Sequence, residues 1–309
     1  MNSKALLDVL IVTYNHKNYI SQALDGVLMQ KTNFNFNIVV GDDCSTDGTI
    51  EILKEYEKKF PGRLNVIYQK KNLGPHHEDR NILTMIKNAR SKYVALLDGD
   101  DYWTDESKLQ VQVDFLENNP DFNICTHQVQ IDKEGQISKN EIFAITKEVS
   151  TMNDLLVNNF IFSCTSVFRM PTEKLPHWFK DAMPGDYPLM IWVLQKKGKI
   201  KYIPKTMACY RIHAGGIWSL ANKNQFTHAY FETLYNCILE FKLDNSIFPN
   251  KILLGIADNV YHNGFKYISL KKYNFYIINL LTVSDLTMRQ KLFVFTAWFR
   301  YKFTHKIKQ

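Results

Sequence analysis

The feature that most constrains this chain is the run Tyr93-Val94-Ala95-Leu96-Leu97, which ends in Asp98-Gly99-Asp100-Asp101. A short unbroken apolar run suits a strand covered on both faces, as in a parallel sheet. In open α/β sheets, ligands gather at the carboxyl ends of such strands. Three carboxylates crowded at one strand end repel one another, so something positive is expected to join them. Carboxylate oxygens suit a hard divalent cation, magnesium or manganese. Such an ion rarely sits in an all-protein cage and usually arrives with substrate phosphates. The plain alternative is a solvated acidic turn that caps the next helix.

The chain before this point sets the context. Leu6 to Val12 reads as a strand ending in Thr13-Tyr14-Asn15. Helical spacing begins near Asn18, with Ile20, Ala23, Leu24, Val27 and Leu28 on one face. Ile38-Val39-Val40 is a second strand and ends in Asp42-Asp43. Ser45-Thr46-Asp47-Gly48 supplies capping residues for a helix through Phe60, which Pro61-Gly62 stops. Leu64 to Tyr68 is a third strand, and a helix follows from about Glu78 to Ala89. Alternation of this kind implies an α/β, Rossmann-like fold with a mostly parallel central sheet and right-handed crossovers. Thr-Tyr-Asn and the two acid clusters then converge on one sheet edge, a better functional signal than any single motif.

Beyond the acids, Lys108 to Asn118 predicts a helix, and Phe122 to Ile131 alternates like a strand. Asp132 to Gly135 is a hairpin turn, and Ile161 to Phe168 is another expected strand. Asp186 opens a buried helix with Pro188 in its first turn. Lys199 to Ile203 and Met207 to Ile212 read as two short strands, and Tyr210 to Trp218 as a mobile-looking loop with a basic lead. From about Asn222, Tyr and Phe become dense and strand signals vanish. The expected division is a domain over 1–221 and a helical region over 222–309. Its tail, Arg289 to Gln309, carries six Lys/Arg and no acid, with Leu292, Phe295, Phe299 and Phe303 on one helical face. A basic amphipathic helix of this kind either lies on an anionic membrane surface or packs on its own domain.

The net charge of +7 points to acidic partners: nucleotide phosphates, nucleic acid or anionic lipid. The basic residues are not interleaved with aromatics across the first domain, so nucleic acid is not the expected partner. The five cysteines lie far apart with no CxxC pair, which argues against a zinc site and a disulfide framework. The start shows no signal-peptide pattern, and no apolar stretch reaches bilayer length. A cytoplasmic protein is expected, with peripheral contact at the inner face of the cell membrane left open.

Five segments together carry a resemblance. They are Ile11-Val12-Thr13-Tyr14-Asn15; Val40-Gly41-Asp42-Asp43-Cys44-Ser45-Thr46-Asp47-Gly48-Thr49; Asn72-Leu73-Gly74 with Arg80-Asn81; Leu97-Asp98-Gly99-Asp100-Asp101; and Gly185-Asp186. In this order and spacing, over roughly residues 6 to 220, the chain resembles the family-2 glycosyltransferases, which have the nucleotide-sugar-binding GT-A fold. The resemblance implies a metal-dependent, inverting transfer from a nucleotide-sugar, most often a UDP-sugar, to a glycan or polyprenyl-linked glycan of a bacterial surface polysaccharide. It implies donor contacts from Thr13, Tyr14 and Asn15, with Tyr14 stacking on the base and Asp43 accepting a hydrogen bond from it. Arg80 would lie near the base or diphosphate. Asp100 would bind Mn2+ or Mg2+ most directly, with Asp98 by the ribose or metal. Asp186 matches the general base and is also placed to cap its helix. His213 stands for the diphosphate or metal, or as a satisfied structural histidine. Trp218 lines the acceptor site or pins its loop. Two rivals remain: a nucleotidyltransferase acting on a sugar phosphate, and a non-catalytic glycan- or nucleic-acid-binding protein.

Overall fold

The computed structural model describes residues 4–74, 80–139, 147–157, 159–182, 185–194 and 198–216, with isolated positions beyond. The chain divides into two compact units, residues 1–181 with 185–216, and residues 182–184 with 217–309. Trp218 and nearly all of the basic tail lie outside the described residues. Among the described residues no helix is long and apolar enough to cross a membrane.

The first unit opens with β1 (Leu7–Thr13), α1 (Ile20–Leu28), β2 (Phe36–Asp42), α2 (Thr49–Lys59), β3 (Leu64–Tyr68), α3 (Asn81–Asn88) and β4 (Tyr93–Asp98). It continues with β5 (Tyr102–Trp103), α4 (Lys108–Asn118), β6 (Phe122–Lys133), β7 (Gln136–Lys139), β8 (Val149–Ser150), α5 (Met152–Val157), β9 (Val167–Arg169), α6 (Asp186–Leu194) and β10 (Lys199–Ile212). All ten strands belong to one sheet of order β3-β2-β1-β4-β9-β6-β10-β5, with β7 beside β6 and β8 beside β10. Strands β3, β2, β1 and β4 run parallel, as do β6 and β10. The short β9 is antiparallel to both of its neighbours and joins the two sets. Central position explains why β4 is buried from Tyr93 through Leu97 without alternation.

Helix α1 forms because Ile20, Ala23, Leu24 and Val27 recur at helical spacing, and all four are fully buried. Gly26 lets this helix touch β5: a Cβ there would stand 2.9 Å from the Trp103 backbone N and O. At the start of α2, Asp47 accepts hydrogen bonds from the Thr49 N–H (3.0 Å) and hydroxyl (2.6 Å). Glu51 in its first turn and Lys58 and Lys59 in its last complement the helix dipole.

Two expectations are corrected. The strand expected from Ile161 to Phe168 is a 3-10 turn at Ser163–Thr165, and only Val167–Arg169 pairs. The cause is local side-chain bonding. The Thr165 hydroxyl donates to the Phe162 carbonyl (2.8 Å) and the Ser166 hydroxyl to the Ser163 carbonyl (2.9 Å), which offers the backbone an alternative to a ladder. The two strands expected over Lys199–Ile212 are one strand, β10. Pro204 has no N–H to donate, and the pairing with β6 shifts register between Ile203 and Ala208 rather than ending.

Lys108 of α4 is fully buried, an unusual place for an amine. Its Nζ donates to Gln112 Oε1 at 2.9 Å and lies 4.1 Å from the centre of the Trp103 ring. Burial pushes its pKa down to about 7. The unfolded chain therefore binds the extra proton between about pH 7 and 10.5, so folding stability rises with pH across that window. Lys108→Met is expected to remove this slope and to raise stability at neutral pH, which urea unfolding midpoints taken across the window will show.

Candidate active site

The carboxyl ends of β1, β2 and β4 lie side by side because these strands pair in parallel register, Thr13 opposite Asp42 and Val12 opposite Asp98. Thr13 is buried, whereas the ring of Tyr14 is 44% exposed. Asn15 adopts a left-handed backbone, φ 55°, and ties the two strand ends together. Its N–H donates to Ser45 Oγ (2.9 Å), and its Oδ1 accepts from the Thr46 N–H (2.8 Å). Fully buried Asp42 accepts from the Ser45 N–H (2.9 Å) and from the Ser45 hydroxyl. Asp43 accepts from the Leu73 (2.9 Å) and Gly74 (3.1 Å) N–H groups, closing the loop after β3. A carboxylate has about four lone-pair sites, so this leaves Asp43 capacity for a further donor.

The acids after β4 are held apart by what surrounds them. Asp98 accepts from the Ser163 hydroxyl, which the 3-10 turn delivers. Burial, then the charge of Asp100, push the Asp98 pKa up to about 7. Burial and the same neighbours hold Asp101 well above the usual carboxylate range. Arg211 of β10 anchors this turn. Its main-chain N–H donates to Asp101 Oδ1 (2.8 Å) and its Nη1 to the Asp100 carbonyl. Nε reaches Asp132 Oδ2 (3.4 Å) and Nη2 donates to Gln22 (2.7 Å). The guanidinium lies between the Tyr19 and Tyr102 rings, 4.7 and 4.8 Å from their centres.

The Asp100 carboxylate faces two imidazoles. His213 Nε2 is 3.0 Å and His16 Nε2 3.7 Å from its Oδ2. Gly99 cannot carry a side chain here: a Cβ would stand 2.8 Å from Thr13 Oγ1 and 2.9 Å from His16 Nδ1. A cleft of about 320 Å³ opens beside this group, lined by Asn18, Tyr19, Asp132, Glu134, Arg211 and His213. A second cleft of about 330 Å³ lies at the opposite edge of the sheet, around Asp8, Arg63 and Arg90, away from the acids.

Arg80 is almost fully buried, and its Nη2 donates to the Phe179 carbonyl (2.8 Å). Its guanidinium packs on Gly185, 3.3–3.4 Å from where a Cβ would be, so it stands next to Asp186. Burial raises the Asp186 pKa, while its own and the Tyr187 backbone N–H and the charge of Arg80 pull it back. The charge of Asp186 in turn contributes to the raised pKa of Asp98. The structure thus brings Asp98, Asp100, His213 and Asp186 to one edge, with Thr13, Tyr14, Asn15 and Asp43 beside them. Arg80 is joined to Asp186. Three residues of this site escaped the sequence reading: His16, Ser163 and Arg211. Only His16 had a local signal, directly after Thr13-Tyr14-Asn15.

The residues present fit a divalent cation. Carboxylate oxygen and imidazole nitrogen are its ordinary donors, and Thr13 Oγ1 and His16 Nδ1 are buried polar atoms with no hydrogen-bond partner among the described residues. No three His, Cys, Asp or Glu side chains among the described residues already form a metal cage.

A model of glycosyl transferase family 2 matches residues 8–175. An uncharacterised protein of Mycobacterium tuberculosis is 34% identical over 220 residues, which are 70% of this chain and 61% of that one. This chain therefore spans less than two thirds of that relative. TuaG of Bacillus subtilis, assigned by name to teichuronic acid biosynthesis as a glycosyltransferase, is 30% identical over 76% of this chain and 91% of its own. WfaP of Escherichia coli, a UDP-Glc:α-D-GlcNAc-diphosphoundecaprenol β-1,3-glucosyltransferase, is 27% identical over 69% of this chain and 79% of its own. Staphylococcus aureus TarS 1-349, solved with UDP-GlcNAc, superposes with a TM-score of 0.63 at 19% identity, covering 96% of this chain and 88% of that one. The mannosyltransferase PcManGT of Pyrobaculum calidifontis, solved with GDP-Man and Mn2+, gives 0.55 at 14% identity, covering 97% and 87%. These two show a shared GT-A-like fold.

Lysine cannot reproduce the fork of Arg211, because it offers one point charge in place of a planar set of donors. Arg211→Lys is expected to lower the melting temperature, by the equivalent of about 2 kcal/mol for lost charge-assisted bonds at a largely buried site. Scanning calorimetry against wild type checks this.

Proposed function

Because the chain belongs to glycosyl transferase family 2, we propose that it is a metal-dependent, inverting glycosyltransferase using a nucleotide-sugar donor, with a UDP-sugar favoured. The observation that carries this reading is the gathering of Asp98, Asp100 and Asp186 on one sheet edge beside the exposed ring of Tyr14. Tyr14 offers its free face for stacking on the base, and Asp43 keeps lone pairs for a donor on that base. Asn15 holds both in place through Ser45 and Thr46. Asp100 and His213 would hold the cation, which supplies Lewis-acid stabilisation of the leaving diphosphate when bound.

Asp186 would accept the proton of the acceptor hydroxyl as that oxygen bonds to the anomeric carbon. The carbon–oxygen bond to the diphosphate breaks on the opposite face, and the nucleoside diphosphate leaves. One displacement inverts the anomeric configuration. A carboxylate of ordinary pKa is a weak base for this task, and burial moves Asp186 in the useful direction. Arg80, packed on Gly185, limits that rise and fixes the segment carrying the base.

The acceptor proposed is a hydroxyl of a lipid-linked glycan in bacterial surface-polymer assembly. TuaG and WfaP support it by the pathways in their names. The basic tail over 289–309 would bring the enzyme to the membrane that carries such an acceptor, each cation near an anionic surface contributing about 1 kcal/mol.

Calorimetry with UDP and Mn2+ is expected to show metal-dependent binding that Asp100→Ala abolishes; no binding of any nucleoside diphosphate would end the transferase reading. Asp186→Asn is expected to lower kcat by about 10²- to 10⁴-fold while donor binding persists. Since a base must be unprotonated, wild-type kcat should fall as pH drops, with a midpoint above 3.8, and the variant should lack that limb. Truncation at Met288 is expected to weaken binding to anionic vesicles; equal binding would refute the membrane contact.

A further inference from the structure

We propose that His16 is a second imidazole ligand of the divalent cation, set with His213 and Asp100, and that it tilts the site toward manganese over magnesium. The inference rests on the reading above, in which Asp100 holds the ion. Two ring nitrogens, from residues far apart in the chain, point at the same oxygen, Asp100 Oδ2, at 3.0 Å for His213 and 3.7 Å for His16. Adjacent ligands of an octahedral ion with bonds of about 2.1 Å sit about 3.0 Å apart. His213 already has that spacing, and the His16 ring reaches it by a shift of less than an ångström. At 3.7 Å, His16 makes no hydrogen bond to Asp100; as a carboxylate partner it is only a long ion pair.

The backbone of His16 is fixed. Its carbonyl accepts the Tyr19 (2.9 Å) and Ile20 (2.8 Å) N–H groups at the start of α1. The ring abuts Tyr19, whose own ring packs on His213 with centres 4.7 Å apart. The other nitrogen, Nδ1, is buried and has no hydrogen-bond partner among the described residues, and the same holds for Thr13 Oγ1. Both atoms flank Gly99, within 3 Å of a single point there. Buried polar atoms are rarely left unpaired without a reason. A ligating histidine almost always donates its other N–H to an oxygen, which fixes the ring and its tautomer. The two atoms are not bonded in this structure; the Thr13 hydroxyl, across the space that Gly99 leaves open, would accept it once the ring moves onto the ion.

The consequence is selectivity. Magnesium prefers oxygen ligands and retains its waters, whereas imidazole suits transition ions. One histidine is compatible with either ion; two favour manganese.

The test uses the full chain with UDP and Mn2+, read by electron spin-echo envelope modulation, which distinguishes one bound imidazole from two. Wild type is expected to show two nitrogen couplings, and His16→Gln and His213→Gln one each. His16→Gln should weaken Mn2+ binding about tenfold or more and Mg2+ binding much less, with metal-free melting unchanged. A single coupling in wild type, or wild-type Mn2+ affinity in His16→Gln, overturns the assignment while leaving the transferase reading intact. If His16→Gln does not fold, the wild-type coupling count decides alone. Failure of wild type to bind Mn2+ with UDP at all would remove the cation, and both readings with it.

Discussion

Everything at the upper edge of this sheet depends on how three crowded carboxylates at one strand end are kept from driving each other apart. Asp98, Asp100 and Asp101 follow a strand buried along its length; Asp101 is itself buried, and Asp98 and Asp100 are only partly open to water. Two of the three are pushed toward protonation as a result. Arg211 anchors that turn from across the fold: its main-chain N–H donates to Asp101 and its guanidinium to the Asp100 carbonyl. A guanidinium is suited to the task because its faces stack on Tyr19 and Tyr102 while its edge donates. Through this one side chain, β10, β6, α1 and the turn after β4 become a single rigid frame.

The frame has two unlike halves. On the β1 and β2 side, neutral groups do the positioning: Asn15, Ser45 and Thr46 bond to one another and to Asp42, and Asp43 gathers loop amides. On the β9 side the residues are placed by a turn rather than a strand. The 3-10 segment brings Ser163 under Asp98, and Gln112 of α4 clamps that segment by donating to the Thr165 (2.9 Å) and Cys125 (2.7 Å) carbonyls. The reversed strand β9 is what allows the second half of the sheet to continue parallel after that turn.

How much of this the sequence disclosed follows from the range of the forces involved. Local periodicity is short-range, and it located β3 and α4 to the residue and the other early elements within a few residues. The acid clusters and Thr13-Tyr14-Asn15 were legible because parallel strands must bring their carboxyl ends together. Ser163 and Arg211 were not, since each acts on a residue 65 or more positions away, and nothing in its own neighbourhood marks it. Lys108 is the reverse case: its helix was plain, but no pattern announces an amine whose partners are Gln112 and the Trp103 ring. The two strands expected over Lys199 to Ile212 are one because a register shift at Pro204 absorbs what a regular ladder cannot.

The separation of 110 residues between Asp101 and Arg211 also has a bearing on synthesis. A ribosome adds about 5–20 residues each second, so the acids leave the tunnel several seconds before the arginine that anchors their turn. Strands β1 to β4 can pair in that interval, but the turn after β4 has to wait, its charges hydrated and its helix-side neighbours only loosely placed. Non-local pairing of this kind is slow on loop-closure grounds. The acid-bearing edge is therefore among the last parts of the nascent domain to acquire its shape, and β10 is the segment whose arrival completes it.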